Sequence, residues 1–272
     1  MKPMNDFSAL LFSGDKAAQM LHGQLSADVL ALAPGQTCLT TACTPHGRML
    51  ANGLLICADK TNYLMVAARP CLDKVEQHIQ PLLPFFKASQ TRREPVFGAN
   101  TGQPGAEIYA PDWPGGIGIT FDAQVKNQIT QRQWLESWWC QGVVFLRRQE
   151  QVNGYLPSDL NWDRFGVSYT KGCYTGQEII ARVHYRGKPK HQCQLGRVEK
   201  KPLEMIISTQ DGHQAGEIID CLEIADSCLI AARMDKKYLD SQHLAKEQPI
   251  DWLMPDYIRA KDLPGEDTIN AS

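Results

Sequence analysis

The fold is decided by one stretch of the sequence, Val167-Ser168-Tyr169-Thr170-Lys171-Gly172-Cys173-Tyr174-Thr175-Gly176-Gln177-Glu178-Ile179-Ile180-Ala181-Arg182. A β-type run ends at Tyr169, a glycine-punctuated turn follows, and the residues from Glu178 to Val183 have helical character. Cys173 therefore precedes a helix N-terminus, where unpaired N–H groups and the helix dipole favour a thiolate. Lys171 adds a positive charge nearby. The pattern indicates a reactive or ligand-capturing thiol.

Two structural interpretations of the same stretch stay open. Thr175 and Glu178 have the spacing of a capping box, in which Glu178 would only bond back to the first amides of the helix. A lone cysteine is also commonly a small structural side chain, so the spacing alone does not establish the thiol of Cys173 as functional.

The run from Lys171 to Glu178 resembles the signature of the YgfZ family, a relative of the glycine-cleavage T-protein, which is an aminomethyltransferase. Further stretches that follow the family lie on both sides of this run and in the N-terminal half. They are Ser13-Gly14-Asp15, Gly23 to Val29, Gly47-Arg48, Leu156-Pro157, Asn161, Val167-Ser168, Ala181-Arg182 and Tyr185-Arg186-Gly187. The resemblance covers most of the chain up to about Gly187 and is weaker beyond it.

This resemblance implies an α+β fold of the GcvT and YgfZ type, a three-part, ring-like folate-binding body with a central opening and a C-terminal β-barrel. Residues 1–189 would form a divided α/β folate-binding region of two subdomains, residues 190–255 the barrel and residues 256–272 a polar tail.

Local patterns give the elements of this fold. A helix is predicted from Asp15 to Gly23, with Ser13 as its cap. Further helices are predicted after Pro70, with an apolar face through Cys71, Val75 and Ile79, and from Thr130, where Trp134, Leu135, Trp138 and Trp139 form an apolar stripe. We interpret at least two of these tryptophans as core residues. Strands are predicted at Thr37 to Ala42, Leu50 to Ala58 and Tyr63 to Ala68, and the segment from Gly98 to Gly118 reads as loop around short strands. Short β-type runs at Cys193 to Val198, Met205 to Ser208, Gly216 to Ile219 and Cys228 to Ala232 indicate a small barrel.

The resemblance also implies a cofactor, tetrahydrofolate or another reduced folate. Glu178 matches the position that holds the pterin in T-protein relatives, since a carboxylate suits the ring nitrogens and amino group. Phe7 and Trp139 fall where the family places aromatic side chains near the folate. Tyr174 and Arg182 complete the predicted cofactor-binding set, while Cys173 is the predicted functional thiol with Lys171 as its neighbour.

A departure from the T-protein pattern bears on the activity. In those relatives the turn equivalent to Pro45-His46-Gly47-Arg48 leads into paired aspartates, one of them catalytic, whereas this chain has Ala51 and Asn52 there. A methyl group and a neutral amide cannot supply that carboxylate, which argues against aminomethyl transfer. The family association instead predicts an accessory factor for iron–sulfur client proteins, such as a tRNA methylthiotransferase.

Two other functions remain as alternatives. A folate-dependent one-carbon transferase is disfavoured by Ala51 and Asn52. A direct tRNA-binding protein is disfavoured by the net charge of −2, from 28 basic and 30 acidic residues. The basic cluster of Arg182, Arg186, Lys188, Lys190 and His191 is either a solvated edge or a site for folate carboxylates or RNA phosphate.

Composition predicts a cytoplasmic protein without a membrane span. Nine scattered cysteines fit reduced thiols in a reducing compartment. The acid-bearing N-terminus is unlike a signal peptide, and the apolar segment from Gly53 to Ala58 is far too short to cross a bilayer. No metal site is predicted, because Cys38 and Cys43 would face opposite sides of one extended strand.

Overall fold

Three antiparallel β-sheets and five α-helices organise the part of the chain that the computed structural model describes, residues 2–101, 108–112, 116–246 and 248–253. The strands are β1 (Phe7–Ser13), β2 (Thr37–Cys43), β3 (Met49–Cys57), β4 (Asn62–Ala68), β5 (Ser89–Arg93), β6 (Phe97–Asn100), β7 (Ile117–Thr120), β8 (Gln128–Ile129), β9 (His191–Val198), β10 (Ile206–Thr209), β11 (Gln214–Ile224), β12 (Ser227–Asp235), β13 (His243–Ala245), β14 (Gln248–Pro249) and β15 (Asp251–Leu253). The helices are α1 (Ala17–Gln24), α2 (Arg69–Ile79), α3 (Leu83–Phe86), α4 (Gln131–Cys140) and α5 (Gln177–Arg186).

The first sheet has five strands in the order β2-β3-β4-β1-β5. Every residue of β3 is buried, so both faces of this strand are covered. Helix α2 lies against β1, β3 and β4 and buries Cys71, Leu72, Val75 and Ile79 toward them. The predictions for β2, β3 and β4 are confirmed to within two residues at their ends, and α2 buries the predicted apolar face.

The second sheet, β7-β6-β8, supports helix α4. Thr130 caps α4, because its hydroxyl accepts the N–H of Gln133 while the Gln133 side chain bonds back to Thr130. Trp134, Trp138 and Trp139 are fully buried, which confirms the core interpretation of the tryptophan stripe. The predicted loop from Gly98 to Gly118 contains parts of β6 and β7, and its residues 102–107 and 113–115 lie outside the described residues.

The third sheet has seven strands in the order β14-β13-β10-β11-β12-β9-β15 and is barrel-like and nearly closed. All of its strands lie between His191 and Leu253, so the predicted short β-type runs form this sheet. The division of the chain into residues 1–189 and residues 190–255 stays a prediction. The predicted tail, residues 256–272, lies outside the described residues.

A polar network joins this barrel to the body before it. The Arg147 guanidinium lies between the carboxylates of Asp6 (2.7 Å) and Asp220 (2.6 Å), and Asp220 is buried. Nearby, Arg148 and Gln151 both donate to the carbonyl oxygen of Ile219. Buried, hydrogen-bonded charge pairs fix the relative position of the elements that carry them.

Two local predictions are wrong. Ser13 lies in β1 rather than capping α1, which begins at Ala17 without a side-chain cap. The residues from Val167 to Tyr169 are irregular rather than a strand, because they cross the segment after α1 instead of joining a sheet. Their backbone contact there is the bond from the Ser168 N–H to the Ser26 carbonyl.

Candidate functional site

Three segments that carry the sequence resemblance meet around the turn from Lys171 to Gly176. Ser168 and Thr175 donate their backbone N–H groups to the carbonyl oxygens of Ser26 (2.9 Å), just after α1, and Gly23 (3.0 Å), in the last turn of α1. On the other side the turn packs against residues 44–47. A Cβ atom on Gly176, whose φ is +85°, would lie 2.6 Å from the Thr44 carbonyl oxygen, so only glycine fits there. Residues far apart in sequence therefore build one site.

Lys171 anchors this turn. Its ammonium group donates to the carbonyl oxygens of His22 (2.5 Å), Leu25 (2.6 Å) and Ala27 (2.9 Å), at and just after the end of α1. Burial lowers the pKa of Lys171 to about 8, against the opposing effect of Asp28. Three carbonyl groups hold the Lys171 ammonium in the interior, and the role of Lys171 as the neighbour of the Cys173 thiol stays a prediction.

Cys173 lies at the surface of the turn. None of the nine cysteines forms a disulfide, and Cys140 and Cys173 are the two that are exposed. Gly176 is the residue before α5, so Cys173 precedes the helix by one short turn. Lys171 fixes the turn from its buried side, through its hydrogen bonds to α1 and the residues after it. Cys173 is exposed, so its thiol is accessible to solvent and to small molecules.

Glu178 is an exposed residue in the first turn of α5. Its carboxylate pairs with Arg182 at 2.6 Å, one helical turn later, and 80% of its side chain is accessible. The capping-box interpretation is wrong, because the Thr175 hydroxyl instead donates to Gln24 (3.0 Å) and Glu178 bonds to Arg182. Apart from this exposed ion pair, the carboxylate is available to a ligand.

The three predicted aromatic and phenolic contacts are buried. Phe7 lies in the core with its ring edge-on to Trp134 (5.0 Å between centroids), and Trp139 is fully buried in the same core. The Tyr174 ring lies under the Lys171 ammonium, 4.7 Å from it, and burial raises the pKa of the phenol. Core packing accounts for Phe7 and Trp139, so folate could reach them only if the core opened.

Ala51 and Asn52, which replace the paired aspartates, are fully buried in β3. The Asn52 amide donates to the Val144 carbonyl (3.0 Å) and accepts the N–H of Leu146 (2.8 Å). The amide nitrogen and the amide oxygen of Asn52 are thus both bonded to backbone groups, and this neutral side chain cannot exchange a proton with a ligand.

The inner face of α5 lines a cleft with about 370 Å³ of empty space. The ring of Tyr169 stacks on His184 with centroids 3.7 Å apart, and burial raises the pKa of the nearby Asp163 carboxyl. Glu178 and Arg182 lie on the opposite, outer face of the helix. Arg186, Lys188 and Lys190 extend the basic edge at its C-terminal end and are exposed.

His22 and Asp28 border the same turn and escaped the sequence-based predictions. The His22 imidazole lies 3.4 Å from the Asp28 carboxylate. A single histidine within an apolar helix and an aspartate several residues later match no catalytic spacing, so only the folded turn shows that His22 lies beside Gly172.

The described residues offer neither a cluster suited to a metal ion nor a helix that could cross a membrane. That part of the chain has no cluster of three or more His, Cys, Asp or Glu side chains suited to a metal ion. Burial raises the pKa of both Cys38 and Cys43 to about 12, which keeps these thiols protonated. Within the same residues, each helix is too short or too polar to cross a membrane.

Comparisons with known proteins place this geometry in context. No family model matches the chain. An uncharacterized protein of Haemophilus influenzae is 27% identical over 204 residues, which span 72% of each chain. The tRNA-modifying protein YgfZ of Vibrio atlanticus is 22% identical over 276 residues, 88% of this chain and 85% of the relative.

A solved structure shares the fold. The glycine cleavage system aminomethyltransferase T from Bartonella henselae superposes with a TM-score of 0.63 over 92% of this chain and 83% of that one, at 12% identity. The expected α+β fold of the T-protein type is thus confirmed.

Proposed function

We propose, from the premise that this chain is a YgfZ-family protein with the T-protein fold, that it binds a reduced folate such as tetrahydrofolate and assists iron–sulfur enzymes. Cys173 is its functional thiol. The protein acts in the cytoplasm. It supports tRNA modification indirectly, by assisting a client protein such as a tRNA methylthiotransferase.

One observation carries this proposal. The segments that resemble the YgfZ family come together around the exposed side chains of Cys173 and Glu178. Neither side chain packs in the core, whereas Lys171, Gly176 and Thr175 hold the turn that presents them. Relatives named tRNA-modifying proteins and the fold of a folate enzyme agree with a folate-linked role in tRNA modification.

Glu178 is the proposed pterin contact. Its carboxylate is exposed and can accept two hydrogen bonds from the amino group and a ring nitrogen of a pterin. Arg182, which pairs with it at 2.6 Å, orients the carboxylate. The basic edge at Arg186, Lys188 and Lys190 then offers cations for the glutamate carboxylates of the folate. The buried ring of Tyr174 stabilises the turn by packing against the Lys171 ammonium.

The alternatives remain less well supported. One-carbon transfer by the T-protein route lacks its carboxylate, since Asn52 is committed to backbone bonds. Direct tRNA binding would use the same basic edge, but the near-neutral chain offers little long-range attraction for a polyanion.

Replacing Glu178 with alanine should weaken tetrahydrofolate binding by about tenfold or more, because a hydrogen bond to a charged group contributes about 1.5–3 kcal/mol. The fold should persist, since an exposed ion pair one helical turn apart contributes only about 0.3–0.5 kcal/mol. Isothermal titration calorimetry measures the affinity, and circular dichroism checks the fold.

Glu150→Ala is the matched control, because Glu150 is also exposed and paired with an arginine but lies away from α5. It should keep full folate affinity. Equal binding by wild type and Glu178→Ala would remove Glu178 from the site, and absence of folate binding by the wild type would remove the proposed function.

A further inference from the structure

Two cysteines lie on adjacent strands of the barrel-like sheet. Strands β11 and β12 form a hairpin in which Cys221 is opposite Ile230 and Glu223 is opposite Cys228. Residues opposite each other share one face of a sheet, and so do residues two apart along a strand, so Cys221 and Cys228 are diagonal neighbours on one face. Both side chains pack into the same hydrophobic core of the barrel. The hairpin therefore brings two thiols together.

The local backbone draws these diagonal neighbours closer. The pairing of β11 with β12 shifts between Ile218 and Asp220, which marks a β-bulge just before Cys221. A bulge increases the right-handed twist of the strands, and twist moves one set of diagonal side chains together. The two thiols interact directly. Burial raises the pKa of Cys228 to about 12, and charge on Cys221 and a hydrogen bond between the two thiols add to this effect.

One thiol of the pair is accessible and has a cation beside it. Cys228 is buried, whereas Cys221 is half-buried and can be reached from solvent. The Lys201 ammonium pairs with Glu223 at 3.0 Å. The pKa of Lys201 is raised by Glu223 first and then by charge on both cysteines, so its ammonium lies close enough to stabilise a thiolate. A reagent thus meets Cys221 first, with Cys228 directly behind it.

We propose that Cys221 and Cys228 form a redox-active dithiol, which a hydroperoxide oxidises to a disulfide across the hairpin. The Cys221 thiolate attacks hydrogen peroxide and the O–O bond breaks. The sulfur becomes a sulfenic acid, and the departing hydroxide takes up the proton that Cys221 released. The Cys228 sulfur then attacks the Cys221 sulfur and the S–O bond breaks. The second hydroxide leaves with the proton of Cys228, so two thiols and one peroxide give one disulfide and two waters.

The disulfide is compatible with the fold and reversible. Strands β11 and β12 are already hydrogen-bonded to each other on both sides of the pair, so the new bond joins elements that stay in place. Exchange with a small thiol such as glutathione returns both cysteines to the reduced form. The pair belongs to the barrel and uses none of the residues proposed for folate or for the client protein. It is therefore independent of the proposed function.

Peptide mass spectrometry of the full-length chain after treatment with hydrogen peroxide tests the pair. Neither lysine nor arginine occurs between Lys201 and Arg233, so trypsin leaves Cys221 and Cys228 in one peptide. Oxidation should lower the mass of this peptide by two hydrogen atoms and protect both thiols from iodoacetamide. Dithiothreitol should reverse both changes.

A matched internal control is present in the same chain. Cys38 and Cys43 also share one tryptic peptide, because neither lysine nor arginine occurs between Lys16 and Arg48. They lie five residues apart along β2, which is too far for a disulfide. This peptide should keep both thiols at a peroxide concentration that fully oxidises the Cys221 and Cys228 peptide.

Single substitutions identify the order of the two steps. In Cys228→Ser the Cys221 sulfenic acid should persist and react with dimedone, whereas in Cys221→Ser the buried Cys228 should stay a thiol. The proposal would be overturned if the wild-type peptide kept both thiols while peroxide oxidised the exposed Cys140 and Cys173. Disulfides from Cys221 or Cys228 to other cysteines, in place of the bond between them, would overturn it equally. The wild-type measurement needs no substitution, so it stays decisive if a variant fails to fold.

Discussion

The Cys173→Ser variant should lose all support for iron–sulfur-dependent tRNA thiomethylation in cells while keeping nearly unchanged folate affinity. A hydroxyl is close to a thiol in size but is not ionised near neutral pH, so the variant preserves the turn and removes the nucleophile. Cys173 is exposed, and the substitution therefore creates no core cavity. Mass spectrometry of tRNA from cells that lack the native gene measures the modification.

Cys140→Ser is the matched control, since it removes the other exposed thiol, and cells carrying it should modify tRNA normally. Full activity of Cys173→Ser would mean that Cys173 is only a small side chain in a tight turn. Weak folate binding by both Cys173→Ser and Cys173→Ala would place the residue in the wall of the folate pocket instead.

Lys171→Met should destabilise the protein by roughly 2–4 kcal/mol, because it leaves the carbonyl oxygens of His22, Leu25 and Ala27 without their shared donor. The methionine fills a similar volume, so the loss reports the hydrogen bonds rather than a cavity. Denaturant unfolding followed by circular dichroism gives the free energy of unfolding.

The corresponding change at an exposed lysine, Lys188→Met, should alter the free energy of unfolding by no more than about 0.5 kcal/mol. A similarly small effect of Lys171→Met would show that the carbonyl groups find water or other donors, and Lys171 would then not be the anchor of the turn. Partial unfolding of the turn in this variant should also change the alkylation rate of Cys173.

Much of the fold was predictable because its elements follow local rules. Strands β2, β3 and β4 are apolar runs bounded by turns, and the pairing of Thr130 with Gln133 marks the start of α4. Strand β1 was missed, because its apolar run lacks the alternation of a half-exposed strand. It lies in the interior of the sheet between β4 and β5, where burial on both faces removes that signal.

The candidate site was predictable only in part. The signature marks the turn and singles out Cys173 and Glu178, but it does not give the direction of the Lys171 side chain. Its nearest acceptor belongs to His22, 149 residues earlier in the chain, and no local pattern encodes such a contact. The same holds for Phe7 and Trp139, since only tertiary packing places their rings inside the core.

Titration of the purified wild-type chain with tetrahydrofolate and, separately, with tRNA at physiological salt tests the central claim most directly. A folate-binding factor should show saturable heat with tetrahydrofolate at micromolar concentration or below, and weak, strongly salt-dependent binding to tRNA. Tight, specific binding of tRNA with no detectable binding of tetrahydrofolate would contradict the claim.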